Sequence, residues 1–240
     1  MARKTKNKFI KRIISVLIIA AIAWMKYQER NDDGKGEGSG GESSVVIAQP
    51  ESSGGDGGPG LTPVSISSSK FEILENCSII EHYGNDGDSF HVKTPKGEEE
   101  FRLYYIDAPE SSARKYRDGN TNYKRIADQG ADMGGLNQKQ TTEVGVAAKL
   151  FVKKVLKEGD FRVATVWQSV YGSRRNYAFI LVSYKGQERY LHELLVERGL
   201  GRIHTSPHTL PDNTSSSRHK EQLYKLEKYA KQKGYGAWGL

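Results

Sequence analysis

Residues 86–110 read DGDSFHVKTPKGEEEFRLYYIDAPE and carry the clearest structural signal in the chain. Apolar and polar residues alternate over 89–94, as in a strand with one buried face. A Pro-Lys-Gly turn follows at 95–97, and a second strand-forming run covers 100–106. Two such runs joined by a short turn that contains Pro and Gly are typical of a β-hairpin. We therefore predict a hairpin in this part of the chain.

The segments around the hairpin add further strands and helices. In residues 141–157, apolar residues recur at spacings of three and four, which predicts an amphipathic helix. Residues 111–140 are polar and contain breakers, so an irregular loop is predicted there. The other predicted elements are strands over 71–80, 161–170 and 177–183 and helices over 191–198 and 216–233. This order predicts an α+β, mainly β fold: a five-stranded barrel with about three packed helices.

The composition excludes several classes of protein. With 240 residues, of which 36% are hydrophobic, the chain is neither collagen-like nor fully disordered. Its single cysteine, Cys77, excludes an intramolecular disulfide and a cysteine-rich zinc site, and we expect it to be a small buried residue. Residues 67–240 hold 27 Lys or Arg and 22 Asp or Glu. This mildly basic body suits a partner that carries phosphate groups.

The N-terminal 28 residues have the pattern of a segment that directs export. Six of the first twelve residues are basic, and residues 13–25 carry no charge. One interpretation is a signal peptide that is cleaved near Ala23. The other is an uncleaved anchor in which residues 9–27 cross the membrane. Both predict that the remainder of the chain lies outside the cytoplasm, either secreted or membrane-anchored.

A linker is predicted at residues 29–66, between the exported segment and the body. Residues 31–66 contain ten Gly, six Ser and three Pro, with six acidic residues and one Lys. Such a composition buries too little apolar surface to offset the entropy of ordering. The predicted organisation is therefore a signal or anchor at 1–28, an acidic linker at 29–66 and a folded body at 67–240.

The hairpin gathers residues that are suited to phosphate chemistry. If its strands pair, Asp88 at the start of the first approaches Asp107 at the end of the second. Carboxylate oxygens suit Ca²⁺ or Mg²⁺ rather than zinc or copper. Arg102 can bind a phosphate through two hydrogen bonds, and Glu110 can accept a proton from water. Each motif alone, a turn or a strand end, is an ordinary structural feature, but their joint spacing favours metal-assisted phosphodiester hydrolysis.

Five motifs in the body follow one another in a set order. They are DGDSF at 86–90, FRLYYIDAPE at 101–110, a Tyr-Gly turn before Ala-Phe-Ile at 178–180, LLVERGLGR at 194–202 and Gly-Ala-Trp at 236–238. Together they resemble the staphylococcal nuclease, or thermonuclease, family over about residues 70–240. The resemblance implies an OB-type five-stranded barrel with three helices.

The resemblance also implies roles for individual residues. It implies a Ca²⁺ site, with Mg²⁺ or Mn²⁺ as substitutes, whose ligands are the carboxylates of Asp88 and Asp107 and the backbone carbonyl of Ala108. Asp86 matches an acidic residue at the rim of that site. Glu110 matches the general base and Arg102 the arginine that binds the scissile phosphate.

The second catalytic arginine of the family follows a Tyr-Gly turn, which here is two residues longer. Counting forward from Tyr171 favours Arg174, whereas counting back from the strand at 178–180 favours Arg175. We prefer Arg175, because the strand anchors it. Its implied role is to neutralise negative charge in the transition state. Tyr171 matches a tyrosine that contacts a terminal phosphate of the nucleotide, and Arg174 would lie beside it as a substrate-binding residue.

Two regions depart from the family pattern. The tyrosines expected after the short second helix are replaced by Ile-His-Thr-Ser-Pro-His at 203–208. His204 or His208 could stack on a base, or both could simply be exposed. The loop at 111–140 is longer than the family pattern and carries five basic residues up to Arg125. It is either a clamp on a nucleic-acid backbone or a solvated insertion.

Three hypotheses for function follow. The first is an exported Ca²⁺-dependent endonuclease that acts on DNA and RNA with little sequence preference, as a monomer without a protein partner. The second is a nuclease-like module that binds nucleic acid or protein without cutting. The third is a structural spacer in the cell envelope. Asp88, Arg102, Asp107 and Glu110 all stand at matching positions, which favours the enzyme.

Overall fold

The computed structural model describes residues 64–240. The predicted signal or anchor at 1–28 and most of the predicted linker at 29–66 lie outside this range. Within the range, no helix is both long and apolar enough to cross a membrane.

Eight strands occur between residues 64 and 240. The first four are β1 at Glu72–Ile79, β2 at Ser89–Thr94, β3 at Gly97–Leu103 and β4 at Ile106–Asp107. The others are β5 at Phe161–Thr165, β6 at Asn176–Tyr184, β7 at Gln187–Tyr190 and β8 at Arg202–Ile203. β2 and β3 pair antiparallel around the turn at 95–97, with Ser89 opposite Arg102. The predicted hairpin is confirmed.

Five strands close into a barrel in the order β3-β2-β1-β5-β6. Their neighbouring pairs are antiparallel. The barrel closes because β6 returns beside β3 in a parallel pairing, with Tyr177 opposite Arg102. β7 adds a sixth strand outside the barrel, along β6. The predicted OB-type, five-stranded barrel is therefore confirmed.

Four α-helices pack around the barrel in the same part of the chain. They are α1 at Tyr123–Asp132, α2 at Gln138–Lys157, α3 at Leu191–Glu197 and α4 at Ser216–Lys233, and a 3-10 turn follows at Gly236–Gly239. α2 begins with a capping box, because the side chains of Asn137 and Gln140 each accept the other's backbone N–H at 3.0 Å. α4 ends at Gly234, whose φ of +63° suits glycine.

The core lies between the barrel wall and the inner faces of the helices. Phe90 and Phe101 fill the barrel interior, and Val144 and Ala148 of α2 are fully buried against the same cluster. Cys77 is fully buried as well, in agreement with the sequence prediction. This packing holds the start of β2, the end of β3 and the start of α2 in fixed relative positions.

Three predictions of local structure need correction. The loop predicted at 111–140 contains α1, so there are four α-helices in the described chain rather than three. The buried face of α1 is Ile126, Gln129 and Gly130, so Ile126 is the one large apolar side chain that marks this face in the sequence. The strand predicted at 161–170 ends at Thr165, because Trp167 has a φ of +56°.

The second hairpin strand also has different bounds. It was predicted at 100–106, but β3 begins at Gly97 and ends at Leu103. Tyr105 then adopts a φ of +70°, which separates β3 from the short strand β4. This break turns the chain at the end of the barrel wall, just before the acidic residues that follow.

Candidate active site

The hairpin register brings two aspartates to one arginine. Because Ser89 pairs with Arg102, the residue before β2 faces the end of β3, and the N–H of Leu103 donates to the carbonyl of Asp88 at 2.9 Å. The Nη2 group of Arg102 donates to Asp88 Oδ2 at 2.9 Å and to Asp107 Oδ1 at 2.8 Å. The side chain of Arg102 is 9% exposed and both carboxylates are 4% exposed. The predicted approach of Asp88 to Asp107 is thus present.

The negative charge of Asp107 has more positively charged partners than that of any other carboxylate in the cluster. Besides Arg102, it accepts from Arg125 Nη2 at 2.8 Å on Oδ1 and from Arg202 Nε at 2.9 Å on Oδ2. Gln129 Nε2 donates to Oδ2 at 2.9 Å. Burial alone would raise the pKa of Asp107, but the three guanidinium groups and the amide outweigh it and lower that pKa. Asp107 is therefore ionised at neutral pH.

Asp88 has fewer positive neighbours. Its Oδ2 accepts from Arg102 and from the N–H of Ala108 at 3.1 Å, and its Oδ1 accepts from the Ser89 hydroxyl at 2.9 Å. Burial raises the pKa of Asp88 to about 6, since the attraction of Arg102 is opposed by the charge on Asp107. The pKa values of the two aspartates differ because Arg125 and Arg202 pair with Asp107 and not with Asp88.

Asp86 lies at the edge of the same cluster. It is partly exposed, and its Oδ1 accepts from the N–H of Gly87 at 2.8 Å. Burial and, to a smaller extent, the charge on Glu110 raise the pKa of Asp86. Gly87 itself is confined, because a Cβ there would lie 2.7 Å from that of Ala108 and 2.8 Å from that of Ala148. This close approach sets the turn that carries Asp86 and Asp88.

Glu110 points its carboxylate toward the same group of arginines and is 20% exposed at the side chain. Arg125 Nε lies 3.1 Å from Oε1, and Asn122 Nδ2 donates to Oε2 at 3.2 Å. Its backbone is held from behind by α2, since a Cβ at Gly145 would lie 2.4 Å from the carbonyl oxygen of Glu110. Glu110 is therefore partly solvent-accessible on a rigid support.

Arg175 reaches the cluster, whereas Arg174 and Tyr171 do not. Arg175 Nη1 donates to the Ser89 hydroxyl at 3.0 Å, and Arg175 Nε donates to Ser173 Oγ at 3.2 Å. Arg174 is exposed, and Tyr171 is fully exposed on the turn. The geometry thus selects Arg175 as the arginine beside the aspartates and leaves Tyr171 and Arg174 at the surface.

The two histidines of the 203–208 segment have different surroundings. His204 is exposed. The His208 ring lies 5.4 Å from that of Phe71 and 5.2 Å from that of Tyr104, and its Nδ1 is 2.8 Å from the carbonyl of Thr209. His208 therefore packs within the domain, and His204 remains free of aromatic neighbours in the described chain.

Comparison with known families gives the context of this cluster. The model of the staphylococcal nuclease homologue family matches residues 100–239, which is more than half of the chain. The chain belongs to this family. No curated protein matches it.

The nuclease-family match covers only part of the candidate site. It includes Arg102, Asp107, Glu110 and Arg175, but it begins after Asp88. The place of Asp88 in the site therefore depends on the hairpin register and on its contact with Arg102.

The oxygen donors of this nuclease-like domain fit a divalent cation that prefers oxygen. The carboxylates of Asp88 and Asp107 both accept from Nη2 of Arg102, so the two groups lie close together. The carbonyl of Ala108 accepts a hydrogen bond from Gln129 at 3.1 Å and keeps a second lone pair. A set of two carboxylates and a carbonyl suits Ca²⁺, which completes its coordination with water.

Sequence reasoning did not single out three residues that contact this cluster. Gln129 and Arg125 lie on α1, which was predicted to be irregular, although Arg125 was counted among the basic residues of that loop. Arg202 stands at the end of LLVERGLGR and bridges Asp107 to Asp132 Oδ2 at 2.6 Å. A spacing of four residues between Arg125 and Gln129 was the available signal, since it places both on one helix face.

Proposed function

We propose that this chain is an exported, Ca²⁺-dependent endonuclease that hydrolyses phosphodiester bonds of DNA and RNA with little sequence preference. The observation that carries the proposal is the contact of Arg102 with both Asp88 and Asp107. One hairpin and the segment after it carry the four functional groups that the proposed hydrolysis requires. These are two ligand carboxylates, an arginine and an accessible Glu110.

The proposed metal site consists of Asp88, Asp107 and the carbonyl of Ala108. A bound Ca²⁺ would polarise the phosphate and offset its charge. Mg²⁺ and Mn²⁺ are expected to substitute in part, because they also prefer oxygen ligands. Asp86 would remain at the rim, where it adds negative charge without a direct bond to the ion.

Glu110 is the proposed general base. It accepts a proton from a water molecule whose oxygen attacks the phosphorus, and the bond to the 5′ oxygen breaks. The leaving oxygen takes up a proton from solvent, so the products end in a 3′-phosphate and a 5′-hydroxyl. The partial exposure of Glu110 supports this role, since the attacking water must reach the carboxylate.

Arg102 and Arg175 are proposed to bind the phosphate as charge develops on it. In the free protein, the carboxylate contacts of Arg102 use Nη2, and Nη1 has only a long contact of 3.4 Å to Ser89. The remaining donors of the guanidinium group suit two phosphate oxygens. Arg175 would approach from the β6 side, and Tyr171 and Arg174 would meet the substrate only at the surface.

The decisive experiment measures cleavage of plasmid and of single-stranded DNA and RNA by the full chain. Activity is compared in Ca²⁺, Mg²⁺, Mn²⁺ and chelator, with Glu110→Gln and Arg102→Ala as site variants and Glu188→Gln as the control. Glu188 pairs with Arg162 at the surface, so its loss should leave activity unchanged. We expect Ca²⁺-dependent cleavage that falls at least about 100-fold in both site variants. Binding without cleavage under every metal would instead identify a binding module.

Export is proposed from the N-terminal sequence, with residues 1–28 as signal or anchor and 29–66 as a tether. The domain at 67–240 would then act on nucleic acid outside the cytoplasm. Protease accessibility on intact cells tests the location, because a cytoplasmic domain would be protected. N-terminal sequencing of the purified protein distinguishes cleavage near Ala23 from an intact anchor.

A further inference from the structure

Helix α1 places one face against the candidate active site. Asn122, Arg125 and Gln129 are spaced by three and four residues, so they lie along one side of the helix. All three side chains contact Asp107 or the segment that follows it. α1 is thus a wall of the site as well as a connection between Glu110 and α2.

Both the nitrogen and the oxygen of the Gln129 side-chain amide form hydrogen bonds with the segment at Asp107–Glu110, and the residue is fully buried. Its Nε2 donates to Asp107 Oδ2 at 2.9 Å and to the carbonyl of Ala108 at 3.1 Å. Its Oε1 accepts from the N–H of Glu110 at 3.0 Å. The amide has one satisfactory orientation, because a flipped group would set its oxygen against a carboxylate and a carbonyl.

We propose that Gln129 is a positioning residue for the reaction. Its side chain forms hydrogen bonds with the carboxylate and the carbonyl that would hold the metal. It also accepts from the backbone N–H of Glu110, which would act as the base. This role rests on the proposed function. A buried side chain with no rotational freedom can maintain the spacing between ligand and base to within a fraction of an ångström, which such chemistry requires.

The test compares Gln129→Glu and Gln129→Met with the wild-type full chain. Glu keeps the acceptor for Glu110 but loses both donors and adds a charge beside Asp107, whereas Met loses all three hydrogen bonds. We expect Ca²⁺ affinity, measured by calorimetry without substrate, to fall about 10–100-fold in Gln129→Met. In Gln129→Glu the added negative charge offsets part of this loss. Cleavage at saturating Ca²⁺ should also fall in Gln129→Met, because Glu110 is no longer anchored.

A merely structural role would give a different result. The variants would unfold at lower temperature, but the folded protein would bind Ca²⁺ and cleave as the wild type does. Amide hydrogen exchange at Glu110 provides a readout that is independent of activity and of metal. If the wild type proves to bind Ca²⁺ but to lack nuclease activity, a lower Ca²⁺ affinity of the folded Gln129→Met protein still supports the positioning role, and an unchanged affinity overturns it. Gln168→Met, which removes a hydrogen bond to Tyr104 away from the site, is the control.

Arg125 supports a second inference, because it is the most exposed of the three arginines that pair with Asp107. Its side chain is 46% exposed, whereas those of Arg102 and Arg202 are 9% exposed. It pairs at once with Asp107, a proposed metal ligand, and with Glu110, the proposed base. A cation in this position competes with a metal ion for Asp107, yet its long side chain can move at low cost.

We infer that Arg125 exchanges partners during binding. In the free protein it neutralises Asp107 and Glu110, and in the complex it contacts a phosphate of the nucleic acid. The inference also rests on the proposed function. It requires that removal of Arg125 change the affinities for metal and nucleic acid in opposite directions, which simple destabilisation does not do.

The test compares Arg125→Gln with Lys124→Gln in the full chain. Lys124 is 86% exposed on the same helix and pairs with Asp128, so its variant removes the same charge away from the site. For Arg125→Gln we expect at least a threefold gain in Ca²⁺ affinity without nucleic acid. Affinity for a short single-stranded DNA should fall about tenfold, with a shallower dependence on salt. A fall in both affinities, or equal effects in the control, would overturn the inference.

Discussion

Arg175 donates a hydrogen bond to the hydroxyl of Ser89 at 3.0 Å, across 86 positions of sequence. Ser89 opens β2 beside Asp88, and Arg175 stands one residue before β6. The contact exists because β6 returns parallel to β3 and closes the barrel. It brings the guanidinium group of Arg175 from a distant part of the sequence to a position beside Asp88.

The first prediction concerns the choice between neighbouring arginines. We expect Arg175→Ala to reduce the cleavage rate about 100–1,000-fold, because it removes a donor that faces the developing negative charge. Arg174→Ala should change the rate less than about twofold, since its side chain is exposed and lies outside the cluster. Single-turnover kinetics with saturating metal measures both. Equal losses in the two variants would contradict the assignment of Arg175.

The second prediction concerns the close contact between α2 and the segment that carries Glu110. Alanine at Gly145 would place its Cβ 2.4 Å from the carbonyl oxygen of Glu110 and 2.5 Å from that of Pro109. Helix propensity favours alanine over glycine by about 1 kcal/mol, but overlap with backbone costs about 1–3 kcal/mol or more. We therefore expect Gly145→Ala to be destabilising and to lower activity in the protein that remains folded.

Gly159→Ala is the matched control for that substitution. A Cβ at Gly159 meets nothing within 4 Å, so neither stability nor activity should fall. Denaturant unfolding measures the free energy of unfolding of both variants. A Gly145→Ala protein as stable as Gly159→Ala would show that the two segments can move apart without cost.

The third prediction concerns Arg202, which joins Asp107 to Asp132. Arg202→Gln removes one of three guanidinium groups from the buried Asp107, and we expect it to destabilise the domain by about 2–4 kcal/mol, as for a broken buried ion pair. Asp132→Asn should cost less than about 1 kcal/mol, because Asp132 is 54% exposed. Thermal unfolding of both variants in chelator checks the contrast, and similar losses would contradict it.

The fourth prediction concerns a buried carboxyl between α3 and α4. Glu193 is 1% exposed, and neither of its side-chain oxygens has a hydrogen-bond partner in the described chain. Burial raises its pKa to about 7; the nearby Arg189 lowers the pKa, and Glu197 and Asp212 raise it. A raised pKa means that the folded state binds the proton more tightly, so this contribution to stability is lost as pH rises from about 4.5 to 7.

Glu193→Gln should therefore be more stable than the wild type at pH 8, and the difference should disappear near pH 5, where Glu193 is protonated. The shift corresponds to a gain of the order of 3 kcal/mol at the higher pH. Glu221→Gln is the control, since Glu221 is exposed on α4 and its substitution removes a carboxylate that does not act on Glu193. Melting temperatures over pH 5–8 provide the measurement. A pH-independent difference would argue against a charged Glu193 at pH 8.

His192 and His219 lie beside this carboxyl, and their own pKa values are lowered, first of all by burial. The two Nε2 atoms are 2.7 Å apart, so the neutral rings share one proton. Their contribution to stability has the opposite sign and is lost as pH falls below about 6.5. The two histidines are present in variant and wild type alike, so the difference in stability between these proteins isolates the contribution of Glu193.

The sequence alone was sufficient for the barrel and for the core of the candidate site. Residues 86–110 are continuous in sequence, and an antiparallel hairpin has a register set by its turn, so Asp88 lies beside Arg102, with Asp107 five residues further along the chain. The motifs of the nuclease family pointed to the same residues. Short-range geometry of this kind can be predicted from sequence because few conformations of the chain satisfy it.

Tertiary structure decided the remainder of the site. The extended turn before β6 allowed two ways of counting, of which we preferred the one that gives Arg175, and barrel closure brings Arg175 to the Ser89 hydroxyl. α1 was not recognised because Ile126 is the one large apolar side chain on its buried face, which otherwise consists of Gln129 and Gly130. The buried charge on Asp107 requires hydrogen-bond donors, and Gln129 and Arg202 provide them from distant parts of the sequence. Such long-range compensation depends on the assembled fold, and for that reason local pattern could not reveal it.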